Sequence, residues 1–379
     1  MTRITADWLH HPSAQAVTQL LEDAGHKAFF VGGCVRNALL NAPVTDLDIA
    51  TDALPETVLD LADRAGLKAI PTGIEHGTVT VVVDAVPFEV TTFRKDIETD
   101  GRHAKVAFTD DLIEDARRRD FTMNALYADR KGYVVDPLNG LPDLQHGRLR
   151  FIEDPAQRIR EDYLRILRFF RFYAWYADPK KGFDREGLSA CAALSGGLSD
   201  ISKERIGCEI LKLLKADDPS QSLGAMQQTG VLAQVLPGSD PRAAFLVIAS
   251  HGVDPILRLT ALGGDDVAKH LRLSKADAQR IDLLKGAATG SQPASELGYR
   301  LGDADGCAAL HLRAAYFEQP VDPEGLEMIQ HGAAQTFPIS ASDLMPTYTG
   351  AALGSRLKTL EAAWIASGFT HTKSDLLRL

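Results

Sequence analysis

Val31–Thr51, VGGCVRNALLNAPVTDLDIAT, decides how this chain is read. Phe29–Val31 has the apolar character of a buried strand end, and Gly32-Gly33 breaks it. Val35, Leu39 and Leu40 then recur at the spacing of a short helix. Paired glycines at a strand-to-helix turn let backbone N–H groups approach a ligand closely, and the helix N-terminus favours phosphate. Arg36, one turn in, reaches toward the same anion. After a turn at Pro43 comes Asp46-Leu47-Asp48-Ile49. In a strand, residues two apart share a face, so Asp46 and Asp48 are expected to point together while Leu47 and Ile49 enter the core. Two carboxylates a few Å apart repel by roughly 4 kcal/mol at an effective dielectric of about 20. A divalent cation on oxygen ligands is the usual compensation. Each feature alone has an ordinary reading, as a Gly-Gly turn or as two solvated aspartates. In this order they point to a phosphate cradle beside a paired-carboxylate metal site, hence to two-metal phosphoryl chemistry.

Working outward, the 379 residues are 45% hydrophobic, enough for two or three domains with substantial cores. No apolar run approaches the length of a membrane span, and MTRITADWLHHPS lacks the apolar stretch of a signal peptide. Cys34, Cys191, Cys208 and Cys307 lie far apart with no C-x-x-C pair. That argues against a zinc knuckle or a disulfide framework and fits a reducing cytoplasm. A formal charge of −10 excludes a generic nucleic-acid sponge. The charge is uneven, however: Arg94–Arg171 carries 16 Lys/Arg against 15 Asp/Glu, so a polyanion should meet the middle of the chain.

Residues 1–28 are expected to form a helix ended by Gly25, and Pro55 to open another that Gly66 stops. His76–Val83 and Phe88–Phe93 are β-branched runs joined by a turn at Asp84–Pro87, a hairpin. Glu89, among apolar and Thr positions, is either an edge-strand surface charge or a third metal-facing carboxylate. Arg94–Lys105 has no apolar period and is expected to be a mobile polar loop. Asp111–Arg119 is a short predicted helix ending in three arginines, at least one of which should turn inward to an anion. Tyr133–Val135 is a predicted strand, followed by the turn chemistry of Asp136-Pro137-Leu138-Asn139-Gly140.

From Asp154-Pro155 the pattern is helical. Glu161–Trp175, EDYLRILRFFRFYAW, is expected as one helix across which Asp162, Arg165, Arg168 and Arg171 spiral at every third residue. Composition alone favours structural pairing of these arginines over anion binding. Ser199–Lys215 is a further helix with Ser202 placed to cap it, and Ala/Leu-rich helical segments broken by Gly and Pro follow to the C-terminus. No chemical motif stands out after Glu209.

Five motifs in order resemble the bacterial class II tRNA nucleotidyltransferases, the CCA-adding enzymes, and their relatives the bacterial poly(A) polymerases. They are Gly32-Gly33 followed by Asp46-Leu47-Asp48; Arg118-Arg119-Asp120-Phe121-Thr122 with Asn124; Asp136-Pro137-Leu138 with Gly140; Glu161-Asp162 with Arg165, Arg168 and Arg171; and Glu204-Arg205 with Glu209. The resemblance runs from Phe29 to about Lys215, with a weaker echo in ALGSRLKTLEAAWIASGF. It implies an α+β fold, a nucleotidyltransferase head of the DNA polymerase β type followed by an all-helical neck, body and tail. The expected divisions are a head over 1–150, a base-recognising neck over 151–220, and an RNA-binding body and tail over 221–379.

The resemblance further implies that Asp46 and Asp48 bind two Mg²⁺ ions, with Glu89 a third catalytic carboxylate. Gly32, Gly33, Arg36 and Arg119 would hold the nucleotide's triphosphate and sugar. Asp162 and Arg165 would read the edge of CTP or ATP in place of a template base, overturning the structural preference at Arg165. Arg168 and Arg171 would support the phosphates or that reading. Glu204, Arg205 and Glu209 would brace the neck. The implied partners are CTP, ATP and the 3′ end of tRNA. The rival activities are poly(A) addition and non-catalytic RNA binding; the dual-specificity form of Glu161–Arg171 and the length of Arg94–Lys105 favour CCA addition. Two departures stand out. Asn37 occupies a position usually Asp, and His251–Asp266 lacks the His-Asp pair of the phosphohydrolase domain some relatives carry, so no hydrolase is expected.

Overall fold

Pro12 opens helix α1 (Pro12–Asp23), as suits a residue with no N–H to leave unpaired, so the expected helix over 1–28 is confined to these twelve residues after a 3₁₀ turn at Asp7–His10. The structure, a computed structural model, describes residues 2–98 and 105–379. Strand β1 (Ala28–Val31), helix α2 (Gly33–Leu39) and strand β2 (Asp48–Thr51) follow. Gly32 joins β1 to α2 at φ +71, a left-handed conformation that L side chains rarely adopt. Helix α3 (Pro55–Arg64) leads to β3 (Lys68–Gly73), β4 (Thr78–Val83) and β5 (Val86–Thr92). The β4–β5 turn is tighter than Asp84–Pro87: Asp84 and Ala85 alone make it, both at positive φ, as a two-residue hairpin turn requires. Strand β3 gives no strand signal in the sequence because it is an exposed edge, where Pro71 is tolerated.

Strands β6 (Arg94–Glu98) and β7 (Lys105–Phe108) pair antiparallel. The ends of the expected loop Arg94–Lys105 are therefore strands, since antiparallel pairing rests on backbone hydrogen bonds and needs no apolar period. Residues 99–104 of that expectation lie outside the described residues. Helix α4 (Leu112–Arg117) is capped by the Asp111 carboxylate, which accepts from the Ile113 amide at 2.8 Å. With β8 (Tyr127–Ala128) and β9 (Val134–Val135), the main sheet has the order β3-β4-β5-β2-β1-β8-β9. Only β2 and β5 run parallel. Val31, Ala50, Phe93, Ala116, Ala125, Tyr127 and Ile152 form a core beneath it.

Helices α5 (Leu141–Gln145), α6 (Pro155–Glu161), α7 (Leu164–Tyr176), α8 (Arg185–Ala193), α9 (Lys203–Leu214), α10 (Ser220–Gln228) and α11 (Val231–Val235) complete the first of two compact units, Met1–Val235. The single helix expected over Glu161–Trp175 is broken: α6 ends at Glu161 and Asp162 is extended. Its carboxylate accepts from the Leu164 amide at 3.1 Å, so a short acidic side chain competes with helical continuation and starts α7 instead. Ser202 takes the N-cap position of α9 but makes no side-chain capping bond.

The second unit, Leu236–Leu379, is helical. Its long helix Ala294–Tyr316 bends at Gly302, where the sequence shows a break, and Pro323–Ala333 packs against it. A Cβ on Gly332 would lie 1.9 Å from the Ser295 carbonyl oxygen. Backbone cannot retreat as a flexible side chain can, so Gly332→Ala is expected to destabilise this unit by about 2–4 kcal/mol. Urea denaturation of the variant measures it; an unchanged midpoint would mean the two helices slide freely. Ile339, Leu344, Leu360, Trp364, Ile365 and Leu376 make a separate C-terminal core. Among the described residues no helix is long and apolar enough to cross a membrane.

Candidate active site

The carboxylates meet at the end of β2. Asp48 begins the strand and is half-buried, whereas Asp46 lies before it and is exposed, bonded by Thr45 Oγ1 at 3.0 Å. The expected common strand face therefore does not account for the pair; nevertheless both line one cavity. Leu47 is only half-buried while Ile49 is fully enclosed. The parallel register places Glu89 of β5 directly beside Asp48, on the same face. Burial and then the negative charge of Glu89 push the Asp48 carboxyl above its ordinary range; Arg119 pulls against them, and Asp46 adds a smaller push. Acidic oxygen donors gathered at one strand end are the kind of ligand a hard divalent cation takes. Among the described residues no group of three or more carboxylate, imidazole or thiol side chains is placed to hold a metal by itself. Magnesium is ordinarily held by one or two carboxylates with substrate phosphates completing the shell, and the residues present fit it in that manner.

Asp48 also lines a cleft of about 430 Å³ with Gly32, Gly33, Arg36, Arg118, Arg119, Asp120, Asn124, Asp162, Arg165, Arg168 and Phe172. Gly32, Gly33, Arg36, Arg119, Asp162, Arg165 and Arg168 are thus brought together with Asp48, while Glu89 and Arg171 are outside this lining. A Cβ on Gly32 would come to 3.4 Å from Arg119 Nη1, so the glycine leaves the guanidinium room beside the turn.

The arginines differ in how their charge is met. Arg119 donates to Asp115 at 3.1 Å and to the Tyr127 hydroxyl at 3.2 Å. Arg168 is forked onto Asp120 at 2.7 and 2.5 Å. Arg171 is 2.5 Å from Glu209. Arg165 donates to Glu161 at 2.6 Å and to the carbonyls of Arg158 and Arg118, both at 2.9 Å. Arg36 is the exception. It is 7% exposed, and its partners are the Asn124 side-chain oxygen at 2.5 Å, the Asn37 side-chain oxygen at 2.9 Å and the Tyr176 hydroxyl at 2.9 Å. All three are neutral, and among the described residues no carboxylate is ion-paired with it. Burial pulls its pKa down, as expected of a cation held without a counter-charge.

Asn37 has its own work here. Its carbonyl oxygen accepts from Arg36 while its Nδ2 donates to the Pro43 carbonyl at 2.8 Å. A carboxylate would satisfy Arg36 but cannot make the second bond. The substitution leaves Arg36 oriented and electrostatically available.

Asp120 anchors the neck side. Burial opposes its charge, yet Arg168, then the Asn124 amide, hold its carboxyl down at about 2. Asn124 donates to Asp120 at 2.8 Å and accepts from Arg36, so a continuous chain runs Arg168–Asp120–Asn124–Arg36. Asp162, at the break before α7, is paired with Arg205 at 2.7 Å. Arg205 and Glu209 accordingly brace the neck through Asp162, Arg171 and Arg168.

Sequence reasoning missed Asp115, Phe172 and Tyr176. Asp115 is 1% exposed and lies three and four residues before Arg118 and Arg119, a helical pairing pattern that was available to find it. Phe172 carries the guanidinium carbons of Arg36, Arg168 and Arg171 within 5.0, 5.1 and 4.4 Å of its ring centroid, and no sequence signal distinguishes it from its buried neighbours.

Carboxylates gathered at the start of an interior strand, beside a glycine turn and a guanidinium-lined cleft, define a nucleotidyltransferase head. Residues 28–150 match the family model described as the poly A polymerase head domain, and residues 183–242 one described as a probable RNA and SrmB-binding site of polymerase A. The chain belongs to the CCA tRNA nucleotidyltransferase family: it is 33% identical to mitochondrial CCA tRNA nucleotidyltransferase 1 of Mus musculus over 96% of this chain and 88% of that protein. It is also 42% identical to the CCA-adding enzyme of Streptococcus gordonii over 58% of this chain and 54% of that one. Among solved structures, the Bacillus stearothermophilus CCA-adding enzyme in complex with CTP superposes with a TM-score of 0.76 at 27% identity, covering 94% of this chain and 92% of that one.

Proposed function

We propose that this protein adds CMP and AMP without a template to the 3′ end of tRNA, building CCA, with release of pyrophosphate, in the cytoplasm. The observation that carries this reading is one cleft containing Asp48, the uncompensated Arg36 and the neck pair Asp162 and Arg165. Those are the parts needed to hold a triphosphate at one end and a base at the other. The acceptor's 3′-oxygen forms a bond to the α-phosphorus, the α–β bridging P–O bond breaks, and the electron pair leaves on pyrophosphate. Asp46 and Asp48, with Glu89 alongside, would hold Mg²⁺; when bound, it supplies the positive charge that acidifies the 3′-hydroxyl and neutralises phosphate oxygens. Arg36, already desolvated and fixed by Asn124, Asn37 and Tyr176, meets the developing charge of the leaving group without reorganising.

At the other end, Arg165 is locked by three acceptors and Asp162 by Arg205 and the Leu164 amide. A carboxylate accepts from the exocyclic amine of cytosine or adenine and repels the carbonyl that uracil or guanine presents, while a guanidinium donates to ring acceptors. Asp162→Ala or Arg165→Ala is therefore expected to lower the preference for CTP over UTP at least about ten-fold with a smaller change in triphosphate affinity. Single-nucleotide incorporation with each NTP checks this; a wild-type preference in both variants would put selection elsewhere.

The decisive experiment supplies purified protein with tRNA lacking its 3′ CCA, CTP, ATP and Mg²⁺, and sequences the products. Two C and one A followed by a stop are expected. Long adenylate tails with CTP ignored would make the protein a poly(A) polymerase, and no addition at all would make it a non-catalytic RNA binder.

A further inference from the structure

A second cavity, about 390 Å³, also reaches Asp48. It shares Gly33, Arg36 and Asp48 with the nucleotide cleft and adds Asp46. Its neck wall comes from the end of α7, as Trp175 and Tyr176, and from the C-terminal end of α9, as Lys212 and the capping residue Lys215. We propose that this cavity holds the terminal nucleotide of the RNA acceptor, with its base stacked on Trp175 and its phosphodiester held by Lys212 and Lys215. The proposal rests on the nucleotide-transfer reading above and assigns the site of its second substrate.

Three observations support it. Displacement at the α-phosphorus requires the nucleophile to approach opposite the leaving pyrophosphate. The second cavity is lined by both Asp46 and Asp48, the carboxylates at which that attack would take place. Trp175 is 47% exposed at the end of a helix whose other aromatics are mostly enclosed. Its indole N–H donates to the Lys212 carbonyl at 2.8 Å, which fixes the ring while leaving it open to solvent. A pinned, half-exposed indole is a stacking platform already ordered before a base arrives. Finally, Lys212 and Lys215 are exposed, one turn apart, and among the described residues neither ammonium is ion-paired. Two free cations beside a stacking surface suit the backbone of a single strand. Lysines in a last helical turn also favour the helix dipole, but that role does not require Trp175 beside them.

Trp175→Ala, Trp175→Phe and the double variant Lys212→Gln/Lys215→Gln separate these roles in the full-length protein. Acceptor KM and CTP KM are measured independently with tRNA lacking CCA. Trp175→Ala is expected to raise acceptor KM about ten-fold or more with CTP KM within about two-fold, and Trp175→Phe to keep most of the affinity. The lysine double variant should raise acceptor KM and flatten its dependence on log salt concentration by about one unit. A readout free of catalysis is the quenching of tryptophan fluorescence when the same tRNA is titrated in EDTA, expected for wild type and lost in Trp175→Phe. Unchanged acceptor KM in Trp175→Ala, or an equal rise in CTP KM, would overturn the assignment. Wild-type protein that adds no C in this assay would overturn the transfer reading itself, whereas active wild type with indifferent variants removes only the acceptor site.

Discussion

Asp48→Asn is expected to lower nucleotide addition at least about a thousand-fold, equivalent to about 4 kcal/mol of lost transition-state stabilisation. The fold should survive. Asp48 stands beside Glu89 in the parallel β2–β5 register and near Asp46, so replacing it removes like-charge repulsion and no ion pair. In EDTA the variant's Tm should equal or exceed that of wild type. Adding Mg²⁺ with CTP should raise the wild-type Tm and leave the variant's unmoved, which reports binding without turnover. Near-normal Mg²⁺-dependent incorporation by Asp48→Asn would remove Asp48 from the catalytic set. Asp46→Asn should be similarly inactive if both aspartates hold the cation. Asp46 is exposed and lies outside the strand, so its substitution should leave Tm closest to wild type.

What the sequence shows of this site is what lies close along the chain. Gly32-Gly33, Arg36 and Asp48 follow one another within one strand–helix–strand passage, so local propensity places them together. Glu89 is 41 residues from Asp48, and only the parallel pairing of β2 with β5 decides that the two are neighbours. Hydrophobic periodicity records which face of a strand is buried, not which strand lies beside it, so both readings of Glu89 stayed open. Asp162 was read through a helix that its own side chain interrupts, because a propensity pattern counts apolar positions and overlooks competition for a backbone amide. Structural pairing, favoured for the neck arginines on composition, does describe Arg165, Arg168 and Arg171 in this structure. Pairing and ligand binding are not exclusive, since Arg165 and Arg168 also line the cleft. Arg36 could not be singled out, because what distinguishes it is the absence of an acidic partner, which appears only once Asn124, Asn37 and Tyr176 are folded around it.

Asp120→Asn should couple a stability loss to a catalytic one through that same chain of contacts. The carboxylate is 7% exposed and accepts two bonds from Arg168. Removing one partner of such a pair costs about 3–5 kcal/mol. The Arg168 side chain keeps 31% exposure and has Glu209 at 4.0 Å, which puts the expected loss near the lower end, about 3 kcal/mol. The acid dependence offers an independent check. The Asp120 carboxyl titrates at about 2 in the folded chain against an ordinary 3.8, so the ionised form stabilises the fold by about 2 kcal/mol above pH 4. That contribution is lost as pH falls through the folded value, about half of it by pH 3. The gap between wild type and Asp120→Asn in urea midpoints should accordingly narrow between pH 5 and pH 3, whereas a gap constant over that range would mean Asp120 is not the titrating group. Because Asn124 is oriented by Asp120 on one side and receives Arg36 on the other, the variant should also raise KM for CTP and ATP about ten-fold or more at a temperature where it remains folded. Arg168→Lys removes the fork but keeps a positive charge next to Asp120. It should recover more of the stability than of the nucleotide affinity, since a point charge can neutralise the carboxylate without fixing the plane from which Asn124 takes its orientation.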